Sequence, residues 1–419
     1  MDHFELKNGV LHAEDVPLTA IAEAVGTPVY VYSRATLERH ARVFREALSA
    51  LPRFHIAFAV KSNPNLAVLK VLAREGYGAD IVSGGEMDRA LAAGIPAAEI
   101  VFSGVGKTAQ EMAAAVQAWI GQFNIESEEE GVELAQVAQG LGRRAVATLR
   151  VNPSVDAKTH AKISTGKAEN KFGVGYDRAA EIYARLATLD GLEMRGLAVH
   201  IGSQITDLAP SRAAFEKMGD LMRELRGVGL TVSHMDLGGG LGVPYQAGES
   251  LPGPAEYGDM VAEVTQAWDA TIMFEPGRVI TGNSGVLLTR VIRVKPGAVA
   301  PFVIVDAAMN DLVRPAMYDA WHDFVAVEPR GEQQVANIVG PVCETGDTFA
   351  MGRKIDAVRA GDLAVFRTAG AYGATMANTY NSRALVPEVM VDGDKWAVVA
   401  DRIEPATILA AERVPEWLK

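Results

Sequence analysis

Cysteine is almost absent from this sequence, which contains a single one among its 419 residues. One cysteine cannot form a disulfide within the chain, and it excludes a zinc site built from several cysteines. The most conspicuous histidine, His200, has no second His or Cys at ligand spacing nearby, so we expect no metal there. Disulfide-stabilised and Cys-rich zinc proteins are therefore excluded.

Long apolar runs and dense basic clusters are also missing. The apolar stretches around Ala113–Ala118 and Ala198–Ile201 are too short or too interrupted to cross a bilayer, so we expect no membrane protein. The formal net charge is −12 and no stretch is rich in Lys and Arg, which argues against a nucleic-acid partner. Because Met1–Lys7 lacks a basic region followed by an apolar core, the expected location is the cytoplasm.

What the sequence does contain is a repeated pattern of a short apolar run, a polar loop and an amphipathic stretch. Segments such as Asn65–Glu75 and Glu86–Ala93 have apolar residues at helical spacing, and Ser127 with Glu130 predicts a capping box. Repetition of strand, loop and helix predicts an α/β fold, the (β/α)8 TIM-type barrel. The eight predicted strands are His55–Val60, Ala79–Val82, Ile100–Phe102, Phe123–Ile125, Val146–Val151, Gly196–His200, His234–Leu237 and Thr271–Phe274.

Polar residues and glycines follow the predicted strands at their C-terminal ends, which converge on the mouth of a barrel, where active sites lie. Loops are polar in any protein, so part of this pattern needs no site to explain it. A lysine and a histidine directly after apolar runs are more informative. The residues concerned are Lys61, Asp80, Ser83, Ser103, Glu126, Asn152, His200, Gly239 and Glu275.

After about residue 283 the pattern changes to short alternating runs separated by Gly, Pro and Asp. Val286–Arg293, Phe302–Asp306 and Leu363–Thr368 are examples, and they indicate a second, mostly antiparallel β domain. The run Pro28–Tyr32 lies outside the barrel pattern and can add a strand. We therefore expect a barrel domain over residues 34–283 and a β domain over residues 1–33 and 284–419.

Three of the residues at strand ends suit an aldehyde cofactor. The Lys61 amine can form an imine with it, although a lone lysine at a strand end is more often a solvated side chain. His200 can lie flat on a pyridine ring, or it can be an ordinary core histidine. Glu275 can keep a ring nitrogen protonated, which makes the ring an electron sink, or it can simply pair with Arg278.

The glycine run Gly238–Gly240 lets backbone N–H groups approach a phosphate closely. Barrels often hold phosphate near their seventh and eighth strands, and Gly277 follows the eighth predicted strand. Val243 stands where the dinucleotide fingerprint has its third glycine, so a dinucleotide is not indicated. A tight turn without a ligand is the alternative interpretation.

Two further candidates lie in the second domain. Arg314 and Tyr318, four residues apart, would share one face of a helix, and an arginine suits a substrate carboxylate. Cys343 lies in the polar, turn-like segment Pro341–Asp347, where its thiol can return a proton to a carbanion. A lone cysteine is otherwise usually a small core hydrophobe.

With these residues identified, the sequence resembles the diaminopimelate decarboxylases, pyridoxal-phosphate enzymes of the alanine-racemase-like fold group. The resemblance covers nearly the whole length and includes Val305–Asp311, Arg314–Ala320 and Ala371–Gly373. It departs from the family pattern at Ser62 and at Ala307–Ala308, and neither departure removes a catalytic group. It implies a cofactor-bearing barrel, a β domain joined by the N-terminal segment, and a homodimer with shared active sites.

The resemblance also implies a role for each candidate residue. Lys61 would hold the cofactor, His200 would stack on its ring and Glu275 would meet its nitrogen. Cys343 would be the proton donor, arriving from the other subunit. The full set of expected cofactor contacts is Lys61, Asp80, His200, Ser203, Gly239, Gly240, Glu275, Gly277, Arg278 and Tyr372, and the expected substrate contacts are Arg278, Arg314, Tyr318, Glu344 and Tyr372.

The function that the resemblance implies is decarboxylation of meso-diaminopimelate to L-lysine and carbon dioxide, the final step of lysine biosynthesis. The main alternative is a related decarboxylase acting on another basic amino acid or on carboxynorspermidine. An amino-acid racemase matches the Cys343 segment and the C-terminal length less well. A cofactor carrier without activity would have no use for both Lys61 and Cys343.

Overall fold

A computed structural model describes residues 2–156, 165 and 170–419 of the chain. Two compact units are present. The barrel unit contains Glu38–Val243 and Ser250–Ile280, and the β unit contains Met1–Leu37, Pro244–Glu249 and Thr281–Lys419. The domain limits expected from the sequence stay a prediction.

The elements are as follows in chain order. The strands are β1 Phe4–Lys7, β2 Val10–Ala13, β3 Val16–Pro17, β4 Val29–Ser33, β5 Phe54–Ala59, β6 Gly78–Ile81, β7 Ile100–Phe102, β8 Gln122–Ile125, β9 Ala145–Asn152, β10 Val174–Gly175, β11 Leu192–Ala198, β12 His234–Asp236, β13 Thr271–Phe274, β14 Gly285–Lys295, β15 Phe302–Val305, β16 Phe324–Ala326, β17 Gln333–Val339, β18 Thr348–Asp356, β19 Leu363–Phe366, β20 Glu388–Asp392 and β21 Lys395–Ala400. The helices are α1 Leu18–Val25, α2 Arg34–Ala47, α3 Leu66–Arg74, α4 Gly84–Ala92, α5 Ala109–Ala118, α6 Glu128–Gly140, α7 Tyr176–Leu186, α8 Ala209–Gly227, α9 Pro254–Thr265, α10 Arg278–Thr281, α11 Arg314–Tyr318 and α12 Pro405–Leu409. Within the described ranges, none of these helices has the length and apolar character needed to cross a membrane.

Eight parallel strands close into a barrel in the order β9, β11, β12, β13, β5, β6, β7, β8, with β8 pairing back onto β9. The closing register sets Phe123 against Ala147 and Asn124 against Thr148. The short strand β10 pairs with β9 outside this ring. The (β/α)8 TIM-type barrel predicted from the sequence is confirmed, and each of the eight predicted strands overlaps an observed one.

The barrel strands coincide with the short apolar runs of the sequence. Both faces of each strand are covered, so apolar residues are favoured along its whole length. Ile56, Phe58, Leu149 and Phe274 are all buried, and full burial of such side chains contributes about 1.5–3 kcal/mol each. Four of the helices that cover the barrel, α3 to α6, begin at side-chain caps, as at Asn65, whose Oδ1 accepts from Ala67 N at 2.9 Å. Strand ends and helix starts therefore alternate at one face of the barrel.

Helix α6 begins at the predicted cap, with one difference. The Ser127 hydroxyl accepts from Glu130 N at 3.2 Å, which is the expected half of a capping box. The Glu130 carboxylate instead binds Lys107 Nζ at 2.6 Å and accepts from Glu126 N at 3.3 Å. A buried lysine thus competes successfully for the carboxylate, since an uncompensated buried ammonium would cost several kcal/mol.

The β unit is built on a sheet with the strand order β18, β17, β15, β14, β4, β20, β21. Off this path, β19 pairs with β14 and β16 pairs with β19. Most pairs are antiparallel, while β15 with β17 and β20 with β4 are parallel. Strand β4, from near the N-terminus, lies between β14 and β20. A separate three-stranded sheet is formed by β1, β2 and β3. The mostly antiparallel β domain expected from the sequence is confirmed.

Candidate active site

Polar side chains surround a cavity of about 380 Å³ at the C-terminal ends of the barrel strands. In a closed parallel barrel these ends meet at one face, so residues from distant parts of the sequence become neighbours. The residues that line the cavity are Lys61, Val82, Ser103, Gly104, Val105, Gly106, Asn124, Arg150, Thr165, Phe172, Ala198, Val199, His200, Asp236 and Glu275.

Lys61 follows β5 in a single 3-10 turn, Val60–Ser62, and its amine lines the cavity. Its Nζ contacts Asp80 Oδ2 at 3.0 Å. Asp80 is completely buried at the end of β6, and its other oxygen, Oδ1, has no hydrogen-bond partner among the described residues. The lysine is thus presented to the cavity by a buried carboxylate that retains unused acceptor capacity.

Glu275 directly follows β13, the eighth barrel strand, and lines the cavity as one of two adjoining buried carboxyl groups. Its Oε1 accepts from Asn124 Nδ2 at 3.1 Å and from the Ser103 hydroxyl at 3.2 Å. Asn124 also donates to Asp236 Oδ2 at 3.0 Å, and Gly238 N donates to Asp236 Oδ1 at 2.9 Å. One asparagine therefore joins both carboxyl groups.

The two carboxyl groups differ in their protonation. Burial raises the pKa of Glu275 well above its usual range, and the neighbouring Asp236 and Asp80 carboxylates add to this shift. Burial also raises the pKa of Asp236, but the hydrogen bonds from Asn124 and Gly238 favour its ionised form. Glu275 is therefore the member of the pair that holds a proton, and it hydrogen-bonds Asp236.

His200 lies just beyond β11 and is kept neutral. Burial lowers its pKa well below the usual range, and the cations Arg150 and Lys61 add to the shift. Its Nδ1 accepts from Gly239 N at 3.2 Å, so the ring proton is on Nε2. The imidazole is thereby fixed against the glycine turn that follows β12.

The glycine turn leaves no space for side chains. A Cβ added to Gly239 would overlap the Glu275 carbonyl oxygen, and a Cβ on Gly240 would overlap that of Gly202. Gly240 has φ of +110°, a conformation open mainly to glycine. Arg278, at the start of α10, donates from its NH2 atom to the Ser203 hydroxyl at 3.0 Å. These groups form one side of the barrel mouth.

A second ionic cluster also borders the cavity, which Arg150 lines. Arg150 is almost buried at the end of β9, and its NH1 atom contacts Glu126 Oε1 at 2.7 Å. Its guanidinium also lies 4.8 Å from the centre of the Phe172 ring. Gly173 N donates to Glu126 Oε2 at 2.8 Å. Glu126 therefore connects the loops that follow two barrel strands.

The remaining predicted residues belong to the β unit. Arg314 and Tyr318 begin and end α11, and the Arg314 NH1 atom donates to His322 Nε2 at 2.9 Å. Cys343 and Glu344 are exposed on a turn, and Cys343 N donates to Asn381 Oδ1 at 3.3 Å.

Asp347 stabilises this turn of the β unit. Its carboxylate accepts hydrogen bonds from Val342 N and from Met309 N, both at 2.6 Å. Tyr372 is partly buried and has a left-handed backbone with φ of 55°. That conformation is uncommon for a bulky residue and is concentrated at functional sites.

Nine of the residues predicted to act in catalysis or to contact cofactor or substrate lie in the barrel unit. The other five, Arg314, Tyr318, Cys343, Glu344 and Tyr372, lie in the β unit. Those in the barrel unit are Lys61, Asp80, His200, Ser203, Gly239, Gly240, Glu275, Gly277 and Arg278. Sequence reasoning missed Asn124, Arg150 and Asp236, which lie inside strands rather than after them. A polar residue inside a short apolar strand was the available signal, because alternate residues of a barrel strand face its interior. No cluster of metal-ligating side chains is found among residues 2–156, 165 and 170–419.

Comparison with known proteins places this site in a family. Residues 34–282 match the family model described as pyridoxal-dependent decarboxylase, pyridoxal binding domain. The chain thus belongs to the pyridoxal-phosphate-dependent decarboxylases, and residues 34–282 correspond to their pyridoxal-binding domain.

Individual relatives show which kind of decarboxylase the chain resembles. The chain is 52% identical over 418 residues to a diaminopimelate decarboxylase of Zymomonas mobilis, with 99% of both chains covered. The crystal structure of diaminopimelate decarboxylase from M. jannaschii in co-complex with L-lysine is 34% identical, with a TM-score of 0.96 over 100% of this chain and 99% of that one. The Helicobacter pylori enzyme complexed with L-lysine is 38% identical, with a TM-score of 0.90 over 94% and 98%. The chain belongs to the diaminopimelate decarboxylase family and is a carboxy-lyase.

The residues of the barrel mouth fit pyridoxal phosphate, the cofactor of this family. Lys61 offers an amine, and the buried Asp80 Oδ1 retains an unused acceptor position. In the turn Gly238–Gly240, Gly239 and Gly240 are partly exposed, and the N–H groups of Gly238 and Gly239 already donate to Asp236 Oδ1 and His200 Nδ1. Glu275 supplies a protonated carboxyl group on the cavity wall.

Proposed function

We propose that this chain decarboxylates meso-diaminopimelate to L-lysine and carbon dioxide, the last step of lysine biosynthesis. The observation that carries the proposal is the pairing of Lys61 Nζ with the buried Asp80 carboxylate at 3.0 Å, in a cavity that also contains Glu275 and His200. An amine held in this way is suited to a covalent link with an aldehyde. Membership of the diaminopimelate decarboxylases selects the substrate.

The predicted residues of the barrel unit would each contact the cofactor in a different way. Pyridoxal phosphate, when bound, supplies an electron sink for the electrons released as carbon dioxide departs. Lys61 would hold it. Glu275 carries a proton because burial raises its pKa, and it would give that proton to the ring nitrogen and lie beside it as a carboxylate. His200 would pack on the ring as a neutral imidazole, because its pKa is lowered by burial. The turn Gly238–Gly240, with Gly277, would receive the phosphate.

The far end of the substrate requires both a positively and a negatively charged residue of the protein. Diaminopimelate has an amine and a carboxylate there, so a cationic and an anionic contact are needed. Arg278 and Arg314 would meet carboxylate oxygens, and Glu344 would meet the distal amine. Tyr318 and Tyr372 would complete the contacts. A decarboxylase that forms a diamine from ornithine would have little use for a second arginine.

We also propose a homodimer in which Cys343 and Glu344 enter the active site of the other subunit. Both residues are exposed in the isolated chain, as residues that act on a neighbouring subunit would be. The Cys343 thiol would return a proton to the carbon that loses carbon dioxide. The cytoplasm is the proposed location, where the biosynthetic substrate and the cofactor are both present.

A substrate panel tests this proposed function. Purified enzyme loaded with pyridoxal phosphate is given diaminopimelate, ornithine, arginine or lysine, and released carbon dioxide is measured. We expect release from diaminopimelate alone, because only this substrate satisfies both the arginines and Glu344. Release from ornithine or arginine without release from diaminopimelate would favour the alternative, a related basic amino-acid decarboxylase.

Replacing the anchor lysine tests the cofactor assignment. We expect Lys61→Ala to lose the visible absorbance of the bound cofactor, because no amine remains to form the covalent link. Lys70→Ala, on the exposed side of α3 in the same part of the barrel unit, is the matched control and should keep the absorbance. An unchanged spectrum in Lys61→Ala would move the anchor to another lysine.

A further inference from the structure

His322 lies between α11 and β16 in the β unit and is almost completely buried, with 1% of its surface exposed. Its two ring nitrogens have different partners. Nδ1 lies 2.9 Å from the carbonyl oxygen of Arg367, and Nε2 lies 2.9 Å from the NH1 atom of Arg314. The ring therefore bridges a fixed backbone atom and a guanidinium group.

These two partners determine the protonation of the ring. A carbonyl oxygen can only accept a hydrogen bond, so Nδ1 carries the hydrogen. A guanidinium can only donate, so Nε2 offers its lone pair to Arg314. Both contacts are satisfied only by the neutral Nδ1–H tautomer. An imidazolium would direct a second N–H group at a cation.

Tyr245 and the backbone of His322 fix this arrangement further. The Arg314 guanidinium lies 4.6 Å from the centre of the Tyr245 ring, and the Tyr245 and His322 rings meet edge to face at 5.2 Å. Arg353 NH1 donates to the His322 carbonyl oxygen at 2.5 Å. Because Arg314 and Tyr245 are buried, with 5% and 8% exposed, these contacts are protected from water.

The acceptor that His322 offers has no charge. A carboxylate in its place would orient Arg314 but would also neutralise it. A neutral imidazole orients the guanidinium through one hydrogen bond and adds no negative charge to it. The remaining donors of the planar group keep a fixed direction, which bidentate recognition of a carboxylate requires.

We propose that His322 is a positioning residue for Arg314, which it orients for the substrate carboxylate through its neutral Nδ1–H tautomer. The inference rests on the proposed function, in which Arg314 contacts that carboxylate. It assigns to His322 an effect on substrate affinity rather than on the chemical step, because the residue reaches the substrate only through Arg314.

Two substitutions separate the two contacts of the ring. In His322→Gln, the amide oxygen can reach the position of Nε2 and accept from Arg314. In His322→Asn, the shorter amide can donate to the Arg367 carbonyl but cannot reach Arg314. The two variants are both neutral amides, and only His322→Asn removes the contact with Arg314 that the proposal requires.

We expect His322→Asn to raise the KM for diaminopimelate and weaken L-lysine binding to the holoenzyme about tenfold, the value of one hydrogen bond to a charged group. The kcat should stay near the wild-type value. Cadaverine, which is L-lysine without its carboxylate, should bind both variants as it binds wild type. His322→Gln should resemble wild type with every ligand.

Other outcomes overturn the inference. Equal losses for L-lysine and cadaverine, or equal defects in both variants, would mean a structural role only. Arg314→Lys separates the role of Arg314 from that of His322. Unchanged L-lysine binding in that variant would reject the proposed contact between Arg314 and the substrate carboxylate. Weakened binding in Arg314→Lys with normal binding in His322→Asn would reject the positioning role alone.

A measurement on the unmodified protein keeps the test independent of variant folding. Nitrogen-15 NMR of histidine-labelled holoenzyme reports which ring nitrogen carries the hydrogen. We expect Nδ1–H and an accepting Nε2 for His322 at pH 8. An Nε2–H tautomer or an imidazolium at this pH would contradict the proposal, whatever the variants do.

Discussion

At the scale of single residues, Asp80 has two oxygens in different surroundings. Oδ2 contacts Lys61 Nζ at 3.0 Å, whereas Oδ1 is buried and has no hydrogen-bond partner among the described residues. A buried polar atom without a partner costs about 1–3 kcal/mol of folding free energy. A ligand that donates a hydrogen bond to this oxygen would offset that cost, and the oxygen belongs to the carboxylate that contacts the amine proposed to hold the cofactor.

Asp311 in the β unit has an unusual proton affinity that bears on stability. Burial raises its pKa to about 7, while the hydrogen bond from Ala308 N and the Arg383 cation oppose the shift and Asp306 and Asp347 add to it. The ordinary pKa is 3.8. Between these values the folded state binds more protons than the unfolded state, so stability falls as the pH rises.

We expect Asp311→Asn to remove this pH-dependent loss. Relative to wild type, the variant should gain about 2–3 kcal/mol in free energy of unfolding between pH 5 and pH 8. Urea unfolding at the two pH values measures the difference. Asp394→Asn, at an exposed aspartate, is the control and should change nothing. Parallel pH curves for wild type and Asp311→Asn would contradict the expectation.

The sequence indicated residues of the cavity lining where a chemical group follows a strand and missed those that lie within one. Lys61, His200 and Glu275 follow apolar runs, and all three line the cavity. Asp236 and Asn124 interrupt such runs, and a single polar residue there looks like a weak position in a strand. Their role depends on which face of the strand points inward, which barrel closure determines.

At the scale of elements, the turn between β12 and α9 depends on its glycines. We expect Gly239→Ala to reduce the affinity for pyridoxal phosphate and the melting temperature, because the added methyl would overlap the Glu275 backbone and force β12 and β13 apart. Cofactor titration followed by absorbance, together with thermal unfolding, measures both effects.

Gly140→Ala is the matched control for this substitution. Gly140 ends α6, where a Cβ meets open space, and alanine is favoured over glycine in helices by about 1 kcal/mol. This variant should bind the cofactor normally and should not be destabilised. Normal cofactor affinity in Gly239→Ala would mean that the turn relaxes easily and that its glycines are not required.

The eight barrel strands, which are mostly buried, were predictable, whereas β17 and β18 of the β unit were not. The eight barrel strands are short apolar runs and were all predicted. Strands β17 and β18 have several exposed positions and do not alternate regularly between buried and exposed, so the sequence contains no period-two signal. The order of strands in the β unit could not be predicted either. β4 lies between β14 and β20, and both of these strands are far from it in the sequence.

At the scale of the whole molecule, the proposed homodimer predicts complementation between inactive variants. Lys61→Ala and Cys343→Ala should each lose most turnover, the second while retaining the cofactor absorbance. Mixing the two under conditions that exchange subunits should restore about a quarter of wild-type activity, because a two-fold dimer of mixed subunits has one intact site.

The matched control is a mixture of Lys61→Ala with Glu275→Gln, both in the barrel unit. If each barrel serves its own active site, every mixed dimer then has one defect in each site, and no activity should return. Recovery in this control, or none in the Lys61→Ala and Cys343→Ala mixture, would argue against active sites shared between subunits.

The β unit takes its chain from three separate stretches, and Pro244–Glu249 is the shortest of them. Tyr245 from this stretch packs on Arg314 and His322, which come from much later in the chain. A fragment cut at residues 38 and 280 would therefore retain the tyrosine while losing both partners, leaving an aromatic ring uncovered in water. Expression of the two units as separate fragments is therefore disfavoured. During synthesis, Tyr245 can be buried only after Arg314 and His322, which lie beyond the barrel in the sequence, have been made.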